Sequence, residues 1–215
     1  MNRLLPDTPV QKLTEQEYLK SEPYSEIRHE YIDGYAYEMA DSKFSHHYIK
    51  SNLLMTIGNS LELKRAYHVF ASGFRVKVGS NYFYPDIVVD CSNLSGDSIF
   101  TENPTAIVEI IAKATRKTDK VIKRYAYTSI PTLKEYMLVE QDFVEVELWR
   151  RHGQHWELSV YYLGDSITFE SIALTLTVEE IYDRVVNEEI TEWLAQKARE
   201  AVEAEIKSAL PDNEC

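Results

Sequence analysis

The spacing of apolar residues predicts five helical segments along the chain. In the longest internal segment, residues 45–63, apolar side chains recur at the spacing of a helix with one buried face. Two other segments begin with capping boxes, at Thr14 and Thr177, each completed by a Glu three residues later. The five segments are residues 13–20, 45–63, 115–127, a short helix that starts at Thr177, and residues 188–210.

The last helical segment carries an apolar stripe on an otherwise polar helix. Its members fall four residues apart: Leu194, Ala198, Val202, Ile206 and Leu210. Because such a stripe needs a partner surface, we expect the helix to dock on the rest of the domain or on a second copy of the chain. We therefore divide the chain into a main domain, residues 1–187, and a C-terminal helical extension, residues 188–215, and expect a homodimer.

Alternation of apolar and polar residues with a period of two predicts strands, and the nearly continuous apolar run 106–111 indicates a central strand covered on both faces. Residues 28–32 and 35–39 flank Asp33-Gly34, a dipeptide typical of a two-residue hairpin turn. Interleaved with the helices, the strands indicate a mixed α/β fold around one central sheet, with helices on its faces. The other predicted strands are residues 74–78, 82–89, 106–111, 133–139, and a hairpin formed by 143–151 and 155–162.

Two of these strands carry carboxylates in unusual surroundings. Glu109 is the one charged residue in the apolar run 106–111, and an ionised carboxylate buried there needs a cation beside it. Asp86 follows Pro85 within the predicted strand 82–89, where the proline indicates a break in the strand ladder. Glu109 could simply form a buried salt bridge. Together, however, two carboxylates on neighbouring strands could hold one Mg²⁺ ion with water and a substrate phosphate.

The amino-acid composition disfavours several classes of function. The 215 residues include seven glycines, none at the spacing of a phosphate-binding loop or a dinucleotide fingerprint. Two cysteines provide neither a thiolate zinc site nor a disulfide framework, which indicates a cytoplasmic protein. No apolar run approaches the length of a membrane span. We therefore expect a protein without membrane contact, and nucleotide hydrolysis and nicotinamide chemistry are disfavoured.

At first sight, the net charge of −12 disfavours binding to nucleic acid, because binding to its phosphate backbone depends on Lys and Arg. The charge is unevenly distributed, however. Residues 178–215 hold 11 acidic and 4 basic side chains, whereas residues 113–124 hold six basic side chains and only Asp119 as an acid. Such a run is usually a solvated helix face, and Asp119 and Lys123 could form an ordinary ion pair. Because the basic run 113–124 closely follows the candidate metal ligand Glu109, however, it favours an anionic substrate.

An ordered set of motifs resembles a known family. Glu30 precedes the Asp-Gly hairpin, and further motifs follow in a fixed order along residues 13–185. The chain resembles the putative restriction endonuclease family, formerly a domain of unknown function, of the PD-(D/E)XK nuclease superfamily. The motifs are His46 with Ile49-x-x-Asn52-Leu53, Tyr84-Pro85-Asp86, Ile107-Val108-Glu109-Ile110, Asp119-x-x-x-Lys123-x-x-x-Tyr127 and Glu135-Tyr136-x-Leu138-Val139.

The resemblance implies a restriction-endonuclease-like core and Mg²⁺-dependent DNA hydrolysis, with Mn²⁺ as a substitute ion. Asp86 and Glu109 would be the metal ligands. The superfamily expects a lysine two residues after the second acid, but Ile111 stands there. The family pattern indicates Lys123 instead, while Lys113 is nearer in sequence but outside the pattern.

Two further residues join the expected catalytic set, and four basic residues form the expected DNA contact. Glu30 would add a carboxylate, although it could be a surface strand residue. His46 matches the family pattern, although it could cap or pack its helix. Phosphate contacts position DNA without reading its sequence, and the residues expected to make them are Lys113, Arg116, Lys117 and Lys120.

The sequence thus predicts an endodeoxyribonuclease that uses metal-activated water. The alternative is a weak or inactive protein of the same fold that acts as a nucleic-acid-binding or oligomeric accessory module.

Overall fold

A computed structural model describes residues 11–39 and 42–209 of the chain. Its helices are α1 (Glu15–Ser21), α2 (Phe44–Leu61), α3 (Arg124–Thr128), α4 (Val178–Ile181) and α5 (Glu188–Ala209). A π-helical segment, Thr118–Lys123, leads directly into α3, and 3₁₀ turns cover Glu22–Tyr24 and Glu170–Ile172.

The strands form two six-stranded sheets and one small hairpin. The first sheet contains β1 (Gln11–Lys12), β2 (His29–Ile32), β3 (Tyr35–Glu38), β5 (Arg75–Val78), β6 (Asn81–Phe83) and β8 (Phe100–Thr101). The second sheet contains β4 (His68–Ala71), β7 (Ile87–Asp90), β9 (Pro104–Ile111), β10 (Glu135–Glu140), β11 (Val146–His152) and β12 (His155–Tyr161). The separate hairpin pairs β13 (Ser166–Phe169) with β14 (Leu174–Thr177).

Both large sheets are mixed. The order is β1-β3-β2-β6-β5-β8 in the first sheet and β12-β11-β10-β9-β7-β4 in the second. The pairs β5–β8 and β9–β10 are parallel, and the other pairs are antiparallel. The mixed α/β class is confirmed, but the expectation of one central sheet is wrong. The strands predicted around the Asp33-Gly34 turn, β2 and β3, belong to the first sheet, which is separate from the sheet that contains β9.

The second sheet is covered on both faces, as the apolar run of β9 predicted. Ile49 and Leu53 of α2 belong to one buried cluster with Val108 of β9. Ile107, on the opposite face of β9, belongs to a second cluster with Phe83 of the first sheet. Because side chains alternate along a strand, Glu109 shares the face of Ile107 and lies in the layer between the two sheets.

The predicted strand 82–89 is two strands. β6 ends at Phe83 in the first sheet, and β7 begins at Ile87 in the second. The chain crosses between the sheets at Pro85–Asp86, so the predicted interruption is confirmed and the single strand is wrong. Proline has no N–H to donate to a ladder, which suits it to this joint.

The last helix, α5, projects most of its apolar stripe into solvent. Leu194 and Val202 are more than half exposed, whereas Ile190 in the first turn packs against the core. Glu189 accepts a 2.8 Å hydrogen bond from the backbone N–H of Val144, which fixes this end of the helix. Leu210 and the side chain of Ile206 lie outside the described residues. The stripe therefore does not dock on its own domain through Leu194 or Val202.

Among the described helices, none is long and apolar enough to span a membrane.

Candidate active site

A cavity of about 300 Å³ opens at the junction of the two sheets. It is lined by residues from the first sheet, the second sheet, α2 and the π-helical segment. The structure brings all five predicted catalytic residues together around it: Glu30, His46, Asp86, Glu109 and Lys123.

Lys123 is the centre of the charge network in this cavity. Its ammonium nitrogen lies 2.8 Å from Oε1 of Glu30, 3.1 Å from Oε1 of Glu109 and 3.2 Å from Oδ1 of Asp119. All four side chains are buried. Burial alone would lower the pKa of Lys123, but the three carboxylates outweigh it and raise the pKa well above its usual value. Lys123 is therefore held as a cation.

Lys123 and Asp119 are four residues apart and lie on the same side of a segment with π-helical geometry. The backbone N–H of Arg124 donates to the carbonyl of Asp119, five residues back, which widens the turn. Such π segments are frequent at functional sites. The predicted helix 115–127 is thus present with an irregular first half, and the Asp119–Lys123 ion pair is confirmed.

Glu109 occupies an electrostatically strained position. Burial raises its pKa well above 4.5, and the neighbouring carboxylates of Asp119, Asp86 and Glu30 raise it further against the opposing effect of Lys123. The hydroxyl of Tyr127 donates to its Oε1 at 3.1 Å. Three acids around one lysine carry excess negative charge, so this part of the cavity favours a further cation.

The pKa of Asp86 shifts in the opposite direction from that of Glu109. The backbone N–H of Ile110 donates to Asp86 Oδ2 at 2.9 Å, and His46 Nε2 lies 3.2 Å from the same oxygen. Burial raises the pKa of Asp86, but the hydrogen bond and charge of His46, together with Lys50, bring it below its usual value. Asp86 is therefore ionised, as a metal ligand must be.

Glu30 is a buried site residue rather than a surface strand residue. It lies in β2, and its Oε1 also accepts a 3.1 Å hydrogen bond from the backbone N–H of Tyr84. Burial raises its pKa. Glu30 thus connects Lys123 to the segment that carries Pro85–Asp86.

His46 lies in the first turn of α2 and faces the cavity rather than capping its helix. Its Nε2 contacts Asp86, while its buried Nδ1 has no hydrogen-bond partner in the described part of the chain. One ring nitrogen is thus committed to a carboxylate and the other is available for a further ligand.

The donor set fits Mg²⁺. Within residues 11–39 and 42–209, no three His, Cys, Asp or Glu side chains converge as metal ligands. Mg²⁺ keeps several waters and is commonly held by one or two carboxylates together with substrate phosphates. Asp86 and Glu109 line the same cavity and provide such a set.

The predicted DNA-contact residues lie beside the cavity, and Arg116 and Lys120 among them form ion pairs. Arg116 makes a bidentate contact with Glu140 at 2.8 and 2.7 Å. Lys120 contacts Glu140, Glu145 and Glu147 at 2.9 to 3.2 Å. Lys113 and Lys117 are exposed.

Sequence reasoning missed two cations that line the cavity, Arg28 and Lys50. Lys50 stands four residues after His46, on the same helix face, so the helical period could have identified it. Arg28 carries no comparable local signal.

Comparisons with known proteins give the family of the chain. Residues 15–179 match the Uma2 family, described as putative restriction endonuclease. Two uncharacterized proteins of Synechocystis sp., slr1290 and sll1609, are each 29% identical to the chain over 181 and 164 residues. The alignments cover 82% and 74% of this chain and 95% and 92% of those proteins.

A solved structure shares the fold. The crystal structure of a putative nuclease belonging to DUF820 from Anabaena variabilis superposes with a TM-score of 0.69 at 21% identity. The match covers 81% of this chain and 99% of that chain. The expected restriction-endonuclease-like fold is confirmed. The family match spans most of the chain and supports a nuclease function, and the chain therefore belongs to the Uma2 family of putative restriction endonucleases.

Proposed function

We propose that the protein is a Mg²⁺-dependent endonuclease that hydrolyses DNA phosphodiester bonds. The observation that carries this proposal is the convergence of Asp86, Glu109 and Lys123 on one cavity, with the lysine 3.1 Å from the glutamate. The lysine comes from the helix after β9 rather than from β9 itself. Its ammonium group nevertheless lies beside Glu109, where it could also contact a water molecule or a phosphate oxygen at the proposed metal site.

Asp86 and Glu109 would hold the ion, and Mn²⁺ would substitute for Mg²⁺. Bound Mg²⁺ supplies polarisation of the phosphate and acidification of a water molecule. Hydrolysis forms a bond from the water oxygen to phosphorus and breaks one phosphorus–oxygen ester bond.

The remaining residues position these groups. Lys123 would donate a hydrogen bond to the attacking water or to a phosphate oxygen as negative charge develops there. Glu30 and Asp119 hold the ammonium group in place. His46 orients Asp86 through its Nε2.

DNA would approach over the segment that follows β9. Lys113 and Lys117 are exposed there and would contact the phosphate backbone. Arg116 and Lys120 would join them only by exchanging carboxylate partners for phosphates.

The test is cleavage of supercoiled plasmid by the purified full-length protein with Mg²⁺ or Mn²⁺. We expect nicked and linear products from the wild type and none from Asp86→Ala. The matched control is Asp97→Asn, which removes a carboxylate from an exposed position outside the cavity. Cleavage that survives in a folded Asp86→Ala protein would overturn the proposal. A folded wild type that neither binds the metal ion nor cleaves DNA would instead support the accessory-module alternative, because such a module does not need the ion.

A further inference from the structure

Arg28 and Lys50 lie on the part of the cavity wall formed by β2, α2 and the turn between β4 and β5. Both line the same cavity as Asp86 and Glu109. The turn at Ser72–Gly73 takes the chain from the second sheet to the first, and Pro85–Asp86 brings it back. The backbone N–H of Ser72 donates to the carbonyl of Asp86 at 3.3 Å, so the two crossings are tied together.

The guanidinium group of Arg28 lies between the ring of Tyr84 and Gly73. It lies 5.5 Å from the ring centroid of Tyr84, whose hydroxyl donates to Glu22 at 3.0 Å. On another side it lies against Gly73, where a Cβ atom would come within 2.2 Å of Arg28 Nη1. Gly73 also has a φ of +136°, a conformation that favours glycine. The position of Arg28 therefore depends on the absence of a side chain at residue 73.

Arg28 also keeps its charge available. Across residues 11–39 and 42–209, it forms no ion pair with an acidic side chain. Arg28 is exposed and lines the cavity, so its guanidinium group can present its planar set of N–H donors to a ligand there. This fork matches the geometry of carboxylate and phosphate anions, and phosphate is the one that a nuclease substrate carries.

Lys50 connects Arg28's side of the cavity to the candidate metal ligand. Its ammonium nitrogen lies 2.8 Å from Ser72 Oγ and 3.6 Å from Asp86 Oδ1. Ser72 adopts a φ of +40°, which is unusual for a residue with a side chain, and such backbone strain is concentrated at functional sites. Two cations thus meet at one turn, beside Asp86.

We propose that Arg28 and Lys50 form a phosphate clamp that holds the nucleic-acid strand at the mouth of the cavity. The clamp rests on the proposed nuclease function and names the residues that hold its substrate. Arg28 supplies the paired hydrogen bonds to one phosphate group, and Lys50 supplies a second charge between that phosphate and Asp86. The segment after β9 differs, because Arg116 and Lys120 are already paired with glutamates.

The test is the affinity of the full chain for a short fluorescein-labelled DNA duplex, measured by fluorescence anisotropy with Ca²⁺ in place of Mg²⁺. We expect Arg28→Ala to weaken binding about tenfold or more, which corresponds to the loss of charged hydrogen bonds. The dependence of log affinity on log salt should become shallower by about one unit. Arg65→Ala, which removes an exposed arginine outside the cavity, should leave the affinity unchanged.

Two further variants separate geometry from charge. Gly73→Ala keeps every charge but displaces the guanidinium group, so it should weaken binding in the same direction as Arg28→Ala. Arg28→Lys keeps the charge but not the planar fork, and its affinity should fall between those of the wild type and Arg28→Ala. Equal affinity of Arg28→Ala and Arg65→Ala would overturn the clamp.

The failure of the clamp and the failure of the nuclease assignment give different results. If the wild type cleaves plasmid DNA and Arg28→Ala cleaves it equally well, the clamp is wrong and the nuclease function stands. If the wild type neither binds nor cleaves DNA, the nuclease function is wrong and the clamp falls with it.

Discussion

The ammonium nitrogen of Lys123 lies 3.1 Å from Oε1 of Glu109, with both side chains buried. The two residues are 14 positions apart and belong to different elements, β9 and the π-helical segment. The superfamily pattern that the sequence resembles places a lysine on the strand itself, and the family pattern indicates Lys123 in its stead. Ile111, at that strand position, packs in the core instead.

Removal of the Lys123 charge should lower the free energy of unfolding and abolish activity. Lys123→Met would leave Glu30, Glu109 and Asp119 buried around an apolar side chain. Breaking a buried ion pair from one side destabilises by about 3–5 kcal/mol. Urea unfolding measures the change, and Lys20→Met, at an exposed position, is the control. Equal stability of the two variants would contradict the central role of this charge.

The pH dependence of stability should reveal the raised pKa of Glu109. Burial raises that pKa above 4.5, so above pH 4.5 the folded protein binds a proton that the unfolded chain has released. Stability then falls as pH rises, by at most about 1.4 kcal/mol per pH unit until the folded pKa is reached. Glu109→Gln removes this loss and should become more stable than the wild type as pH increases.

The measurement for Glu109 is urea unfolding of wild type and Glu109→Gln from pH 4 to pH 8, without divalent ions. Glu62→Gln at an exposed position is the control and should parallel the wild type. Because the acids around Lys123 interact, the transition belongs to the cluster as a whole. A stability difference that shrinks with rising pH would contradict the prediction.

Mg²⁺ binding should require both carboxylates and should release protons. Isothermal titration calorimetry is expected to detect Mg²⁺ binding to the wild type and no binding to Asp86→Ala or Glu109→Ala. Since burial raises the pKa of Glu109, protons compete with the ion for this carboxylate, and the affinity should increase with pH. Asp97→Asn should bind as the wild type does. Undiminished binding to Asp86→Ala would place the ion elsewhere.

The ion pairs of the segment after β9 predict that Arg116 contributes more to stability than to DNA affinity. Glu140, its partner, is 1% exposed, and in Arg116→Gln it would lose the guanidinium group and keep Lys120 beside it. We expect a destabilisation of about 1–3 kcal/mol and a smaller loss of duplex affinity than Arg28→Ala causes. A larger loss of affinity would instead show that Arg116 exchanges Glu140 for phosphate.

Self-association should depend on the exposed stripe of α5. Leu194 and Val202 are 56% and 55% exposed, and we propose that a second copy of the chain covers them. Leu194→Glu combined with Val202→Glu should shift the full chain towards monomer in sedimentation velocity, with plasmid cleavage retained. Glu203→Gln is the control on the same helix. An unchanged oligomeric state in the double variant would contradict this assignment.

Local sequence patterns were sufficient to predict those structural features that a few neighbouring residues determine. The Asp33-Gly34 turn has positive φ at both residues, as the hairpin signal requires. The buried cation partner of Glu109 followed from the apolar surroundings of that residue. In each case the information lies within a few positions of the residue.

Long-range contacts account for what the sequence did not predict. The assignment of β6 and β7 to different sheets depends on packing that a period-two pattern does not contain. The role of Gly73 depends on Arg28, 45 residues earlier, and no local motif relates the two. The π-helical turn before α3 has the same apolar spacing as an ordinary helix, so periodicity could not distinguish them.

The candidate site also depends on how the two sheets pack against each other. Glu30 belongs to one sheet, Glu109 to the other, and Asp86 to the joint between them. Because its lining comes from both sheets, the cavity is complete only when both sheets have formed and packed together.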